Sequence, residues 1–148
     1  MKAVIQRVSR ASVRVDGQII GRIDEGFMVL LGVDREDTET DLEYVVKKVT
    51  GLRIFTDEQD KMNLSLSDIH GSLLIVSQFT LMASTRKGNR PSFTQAGPPE
   101  MSEALYEGFI EQCKNMGFHV EHGQFGAHME VELVNDGPVT IIIDSHDR

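Results

Sequence analysis

The stretch Ser77-Gln78-Phe79-Thr80-Leu81 carries the side chains best placed to act on a substrate. Two hydroxyls, Ser77 and Thr80, and one carboxamide, Gln78, follow abruptly on the apolar run Leu73-Leu74-Ile75-Val76. A hydroxyl becomes a nucleophile when a neighbouring base takes its proton, and Thr80 is the natural candidate for such an attack. Failing a base, polar groups delivered to the end of a rigid strand can still hold and orient a substrate. The plainer alternative is that Ser77 and Thr80 satisfy local backbone groups where the strand exits.

Other chemistry is harder to assemble. None of the five histidines sits in a nucleophile motif, and Gly-x-Ser-x-Gly is absent. Phosphate-loop and dinucleotide-binding glycine patterns are missing too. His119 and His122 resemble a spaced metal pair, with His128 beyond them. Strand residues three apart point to opposite faces, so these two cannot chelate one ion together. They read as surface or core histidines, and neither metal nor cofactor is expected. The single cysteine, Cys113, rules out an internal disulfide and fits a reducing, cytoplasmic setting.

The formal net charge of −8 opposes binding of a polyanion by the chain as a whole. Charge is unevenly spread, however. No Asp or Glu occurs from Ile69 to Pro99, whereas Arg86, Lys87 and Arg90 fall inside that window. Lys2, Arg7, Arg10 and Arg14 likewise precede the first acid, Asp16. The first window holds Ser77 to Leu81 and the polar loop Ser84 to Arg90, an arrangement suited to a locally positive mouth for phosphates. Chance clustering, with helices carrying the acids, is the competing account.

These residues need a scaffold, and 148 residues with 40% hydrophobic and 26% charged content suit one globular domain spanning 1–148. No segment is apolar for long enough to span a bilayer as a helix. Ala3 to Val8 and Ala11 to Val15 read as strands, and Asp16-Gly17 as the turn of a hairpin returning through Gln18 to Ile23. Gly26 to Val33 is a buried strand by composition. Thr38 with Asp41 marks a helix start, and Leu42, Val45, Val46 and Val49 form its apolar face up to Thr50-Gly51. Leu52 to Thr56 is a short strand, Asp57 to Lys61 a turn, and Asn63 to Gly71 a loop. Leu73 to Val76 is expected to be buried on both faces. Pro98-Pro99 opens a second helix with Met101, Leu105, Phe109, Cys113 and Met116 as its stripe, capped at Gly117. Three further strands, Phe118 to His122, His128 to Val134 and Val139 to Asp144, complete an α+β fold with largely antiparallel sheets.

Asn135-Asp136-Gly137-Pro138 supports two readings. Asp-Gly between alternating segments is a hairpin turn. Pro138 also fixes the backbone, and rigid carbonyls suit a pocket that excludes a side chain by shape. Together with Ser77 to Leu81, the segment Asn135 to Thr140 resembles the two signature motifs of the D-aminoacyl-tRNA deacylases. The opening Ala3 to Val8 and the loop Lys87 to Phe93 are similar to that family as well, so the resemblance runs over essentially the whole chain.

The resemblance implies hydrolysis of the ester joining a D-amino acid, or glycine on alanine tRNA, to the tRNA 3′ end. It implies that the ribose 2′-hydroxyl of the tRNA assists and that Ser77, Gln78, Phe79 and Thr80 position the ester. Gly137 and Pro138, joined by a cis bond, would enter the partner subunit's site in a homodimer and reject L side chains. Arg7 would hold that segment, Met129 would line the pocket or pack in the core, and Arg86, Lys87 and Arg90 would meet tRNA phosphates. Neither DNA nor a membrane is an expected partner. A Thr80-nucleophile esterase and a non-catalytic tRNA-binding module are the alternatives.

Overall fold

The computed structural model describes residues 1–148. Its order is β1 (Lys2–Val15), β2 (Gln18–Ile23), β3 (Gly26–Gly32), α1 (Glu39–Gly51), β4 (Phe55–Thr56), β5 (Met62–Leu64), β6 (Ser72–Ser77), a 3-10 turn (Phe79–Met82), α2 (Pro99–Asn115), β7 (Val120–His122) and β8 (Glu130–Asp144). The main sheet runs β2-β1-β3-β6-β7, with β8 paired to β1, and β4 with β5 forms a separate small ribbon. β1 pairs antiparallel with β2, β3 and β8, while β6 lies parallel between β3 and β7. The sheet is therefore mixed, with antiparallel pairs in the majority. It curls until β2 approaches β7, where the Arg22 amide donates to the Glu121 carboxylate at 3.4 Å, leaving a nearly closed barrel.

Burial follows from that curl. One sheet face, carrying Ile5, Phe27, Val29, Leu73 and Ile75, packs on Leu42, Val45 and Val49 of α1 and on Leu105 and Phe109 of α2. The other face turns Val8, Val13, Met28, Leu74 and Val76 into the barrel interior. β6 is thus buried on both sides, as its unbroken apolar run requires. Both helix boundaries match their signals. Thr38 caps α1 in a complete capping box with Asp41, and Pro98-Pro99 opens α2. Gly117, at φ 95°, follows the last turn of α2. Met116 departs from its expected place in the stripe and is mostly exposed.

Three strand expectations are corrected. β1 is one strand rather than two, because shifts of register at Gln6/Val8 and Val8/Arg10 change which residues point inward without ending the pairing. Leu52 to Ile54 are not strand, and Met62–Leu64, which runs into the expected loop at Asn63 and Leu64, pairs with Phe55–Thr56. Most important, Asn135 to Pro138 is no hairpin turn. β8 continues through it, since Asn135 pairs with Val8 and Thr140 with Gln6 on the same neighbour. Residues 136–139 therefore bulge out opposite Arg7. Asn135 ties the neck: its side-chain oxygen accepts from the Val139 amide at 3.1 Å, and its nitrogen donates to the Thr140 hydroxyl at 3.2 Å. The Gly137-Pro138 bond within this excursion is cis.

Candidate active site

A cavity of about 500 Å³ opens at the end of β6. Ser77, Gln78 and Phe79 form one wall, and α2 supplies Ser102 and Tyr106. Phe125 to Met129 closes the far side. The strand end is held firmly, because the Gln78 amide donates to the Leu31 carbonyl of β3 at 2.8 Å. The chain then tightens into the 3-10 turn, whose Leu81 amide donates back to Gln78 at 3.2 Å. The amides of Phe79 and Thr80, ahead of that bond, have no acceptor within the turn. Gly32 lets the turn pack this closely: a Cβ there would lie 3.0 Å from the Gln78 carbonyl oxygen and 3.0 Å from the Leu81 Cβ.

The polar groups have defined partners. Gln78 donates its side-chain amide to the Thr80 hydroxyl, and Thr80 itself is exposed outside the cavity wall. An amide cannot accept the proton a hydroxyl must lose to attack. The wall contains no Asp, Glu, Lys or Arg. Its titratable side chains are Tyr106 and His128. The Tyr106 hydroxyl is shared between the carbonyls of Ile75 and Gly123 at 3.2 and 3.3 Å. Burial pushes its phenol well above the ordinary value, so it stays neutral. His128 is exposed at the rim, and no hydrogen bond fixes its ring.

The remaining candidate residues occupy three places. Met129 lies in the cavity wall and is half-buried. Arg86, Lys87 and Arg90 are exposed at the tip of a loop closed by paired 2.8 Å bonds between Ser84 and Ser92. Phe93, just beyond that closure, meets Phe79 edge-on with ring centroids 5.1 Å apart, joining the basic loop to the site. Gly137 and Pro138 are exposed and do not line the cavity of their own chain. Arg7 grips the excursion: its Nε donates to the Asp136 carbonyl at 3.0 Å and its Nη1 to the Ile54 carbonyl at 2.6 Å. Gly137, at φ 135°, also leaves room for this grip, since a Cβ would fall 3.1 Å from Arg7 Nη2.

Sequence reasoning missed Tyr106 and Phe125, which give the cavity its aromatic walls. Ser102 and Tyr106, four apart on the buried face of α2, were a legible signal, whereas Phe125 lies in an irregular stretch with none. It also missed the acid-base cluster of Asp37, Asp41 and His146. That group already holds a cation. The buried α-ammonium of Met1 donates to Asp37 at 2.6 Å and to the Ser145 hydroxyl at 2.8 Å. Cys113 is core, with no exposed surface, and burial pushes its thiol up to about 12.

Comparison with known proteins identifies the family of the chain. The family model for D-Tyr-tRNA(Tyr) deacylase matches residues 4–144. A D-aminoacyl-tRNA deacylase of Thermosipho africanus is 56% identical over 145 residues, covering 98% of this chain and 97% of that protein. One from Dehalococcoides mccartyi is 57% identical over 148 residues, covering 100% and 97%. The solved structure of a c-Myc DNA unwinding element binding protein superposes with a TM-score of 0.92 at 46% identity, covering 97% and 98% of the two chains. A probable eukaryotic D-amino acid tRNA deacylase shares the fold, with a TM-score of 0.79 at 21% identity over 96% and 97%. The chain belongs to the D-Tyr-tRNA(Tyr) deacylase family, hydrolases that cleave the ester bond of mischarged D-aminoacyl-tRNA.

Proposed function

We propose that the cavity at the end of β6 takes the aminoacylated 3′ end of tRNA and that the tRNA's own 2′-hydroxyl assists hydrolysis. The observation that carries this reading is a cavity wall without a carboxylate, beside which the exposed Thr80 hydroxyl is engaged by the Gln78 amide. An aminoacyl ester beside a free hydroxyl is already activated, so orientation and oxyanion stabilisation can supply most of the catalysis. Ser77 and Gln78 hold the ester, the backbone amides of Phe79 and Thr80 face the developing negative charge, and Met129 borders the acyl group. Arg86, Lys87 and Arg90 contact phosphates near the 3′ end.

Chirality is enforced by a second copy of the chain. Its Gly137 and Pro138, carried on a bulge outside their own cavity and braced by Arg7, enter this one and occupy the space an L side chain needs. Exclusion of this kind leaves D-amino acids and glycine, including glycine on alanine tRNA, as substrates. β8 has one edge paired to β1 and no strand on the other, and beyond the excursion it exposes Ile142, which suits an isologous contact between two copies. The reaction belongs in the cytoplasm, where charged tRNA is used. A net charge of −8 favours tRNA held at its end over duplex DNA, although one relative of known structure is named for a DNA element.

The test compares D- and L-tyrosyl-tRNA, and a D-tyrosyl-tRNA ending in 2′-deoxyadenosine, for the parent protein and Thr80→Ala. The reading expects fast loss of the D ester, a spared L ester, a stable 2′-deoxy substrate and substantial activity in Thr80→Ala. An inactive Thr80→Ala protein, with the 2′-deoxy ester still cleaved by the parent, would establish a Thr80 nucleophile instead. Saturable tRNA binding without ester loss would make the chain a binding module.

A further inference from the structure

We propose that Arg10, Arg14 and Arg22 form a second phosphate site, on the outer face of the barrel, that holds the RNA backbone of the substrate away from its aminoacylated end. This rests on tRNA being the substrate.

The fold accounts for only some of the nine arginines. Arg7, Arg35, Arg53 and Arg148 each hold a hydrogen bond or ion pair through the guanidinium. The guanidiniums of Arg10, Arg14, Arg22, Arg86 and Arg90 hold none. Arg86 and Arg90 belong to the loop beside the site. The other three line a single surface cavity of about 220 Å³ with Ser12 at its floor.

Strand geometry explains the convergence. Arg10, Ser12 and Arg14 alternate along one face of β1, so the two arginines stand about 7 Å to either side of Ser12. Arg22 is the register partner of Ser12 in β2, and Glu132 its partner in β8. Three five-donor guanidiniums thus share the lining of one cavity with the Ser12 hydroxyl. Asp24 and Glu132 also line the cavity, yet neither forms an ion pair with an arginine. In a chain with 23 acids and 15 bases, three arginines left unpaired beside carboxylates are donors presented outward.

The ligand is a phosphodiester chain rather than a single anion. Arg10 and Arg14 stand roughly 14 Å apart along β1, longer than one phosphate, and the carboxylates of Asp24, Glu130 and Glu132 weaken the site for a small free anion. The two cavities follow one another along β8, with Met129 and Val131 lining the reaction pocket and Glu132 and Leu133 lining this one. Arg14 pairs with Glu130, the residue after Met129 in the pocket wall. A nucleic acid with its end in the pocket can therefore run its backbone across Arg14 toward Arg10.

The test uses R10Q/R14Q/R22Q and the charge-retaining R10K/R14K/R22K. For each, kcat/KM is measured with D-tyrosyl-tRNA and with D-tyrosyl-adenosine across a salt series. The Gln variant is expected to lower the tRNA-to-adenosine ratio by about 30-fold or more and to reduce the log-log salt slope by about 2, at about 0.7–0.9 per phosphate contact. The Lys variant is expected to keep most of the slope. A ratio and slope within twofold of the parent would overturn the site. So would equal losses on both substrates, which would mean an effect on the pocket, or competition by millimolar inorganic phosphate matching that by tRNA. If the parent cleaves neither ester, the deacylase reading fails separately, and filter retention of uncharged tRNA then decides: weaker retention by the Gln variant supports the site, and unchanged retention overturns it.

Discussion

Arg7 gives the sharpest test of how chirality is read. Its guanidinium bridges two carbonyls, Asp136 on the excursion at 3.0 Å and Ile54 ahead of β4 at 2.6 Å. A hydrogen bond from a charged donor contributes about 1.5–3 kcal/mol, and only the bond to Asp136 bears directly on where the excursion stands. Arg7→Ala should therefore ease displacement of residues 136–139 by about that amount, an increase of roughly 10- to 150-fold in the displaced population. If the partner's Gly137 and Pro138 exclude L side chains, the ratio of kcat/KM for D- over L-tyrosyl-tRNA should fall by a similar factor, mainly through faster L hydrolysis. Arg7→Lys keeps the charge but cannot span both carbonyls in a fork, so it should fall part of the way. Single-turnover rates for the matched esters, with thermal melting in parallel, provide the assay. A lowered melting temperature with an unchanged D/L ratio would refute the reasoning, since the brace would then be structural and the filter elsewhere.

Three further outcomes are expected. His128→Gln should retain kcat/KM within about threefold, because an unfixed imidazole at the rim is a poor general base; a loss of 10²-fold or more in steady-state rate would reinstate it. Asp37→Asn should lower unfolding free energy in urea by about 3–5 kcal/mol, because it strands the buried α-ammonium of Met1 without its carboxylate. Asp41 governs an acid limb of stability. Burial pushes its carboxyl up, but the Thr38 amide, the Ser145 hydroxyl, the Met1 ammonium and His146 outweigh burial and hold it below the ordinary range. A depressed folded pKa means stability that is present above about 3.9 and lost as pH falls through the folded value. Melting temperatures from pH 6 to pH 2 should show this decline in the parent and a shallower one in Asp41→Asn.

The parts legible in the sequence were those fixed by local chemistry. Thr38 with Asp41 and Pro98-Pro99 placed both helix starts, because capping is decided within one turn. The apolar run Leu73 to Val76 showed that Ser77 would stand at the end of a strand buried on both faces. What stayed hidden depends on pairing between distant segments. Asp136-Gly137-Pro138 has the composition of a turn, and only its register against Gln6 and Val8 reveals a bulge inside one long strand. Arg7 shows the same limit, since its role comes from Asp136 and Ile54, 129 and 47 residues away. Tyr106 was visible as part of a helix face but not as cavity wall, because that needs the position of α2 over the end of β6.

The apolar character of the cavity follows from the same scaffold. A strand buried on both faces cannot carry charges along its length, so polarity enters only where it ends, as hydroxyl, amide and backbone groups. Such a site lacks a strong base, yet it holds positions well, because Gln78 is anchored to β3 and Gly32 admits the turn at close range. Effective molarities from orientation alone can lower a barrier by about 7–11 kcal/mol, which suits an activated ester with a hydroxyl neighbour and would not suffice for a peptide bond. A matched amide-linked analogue of D-tyrosyl-tRNA should therefore bind and resist hydrolysis. Its turnover at a rate near that of the ester would mean that the wall hides a stronger catalyst than its residues supply.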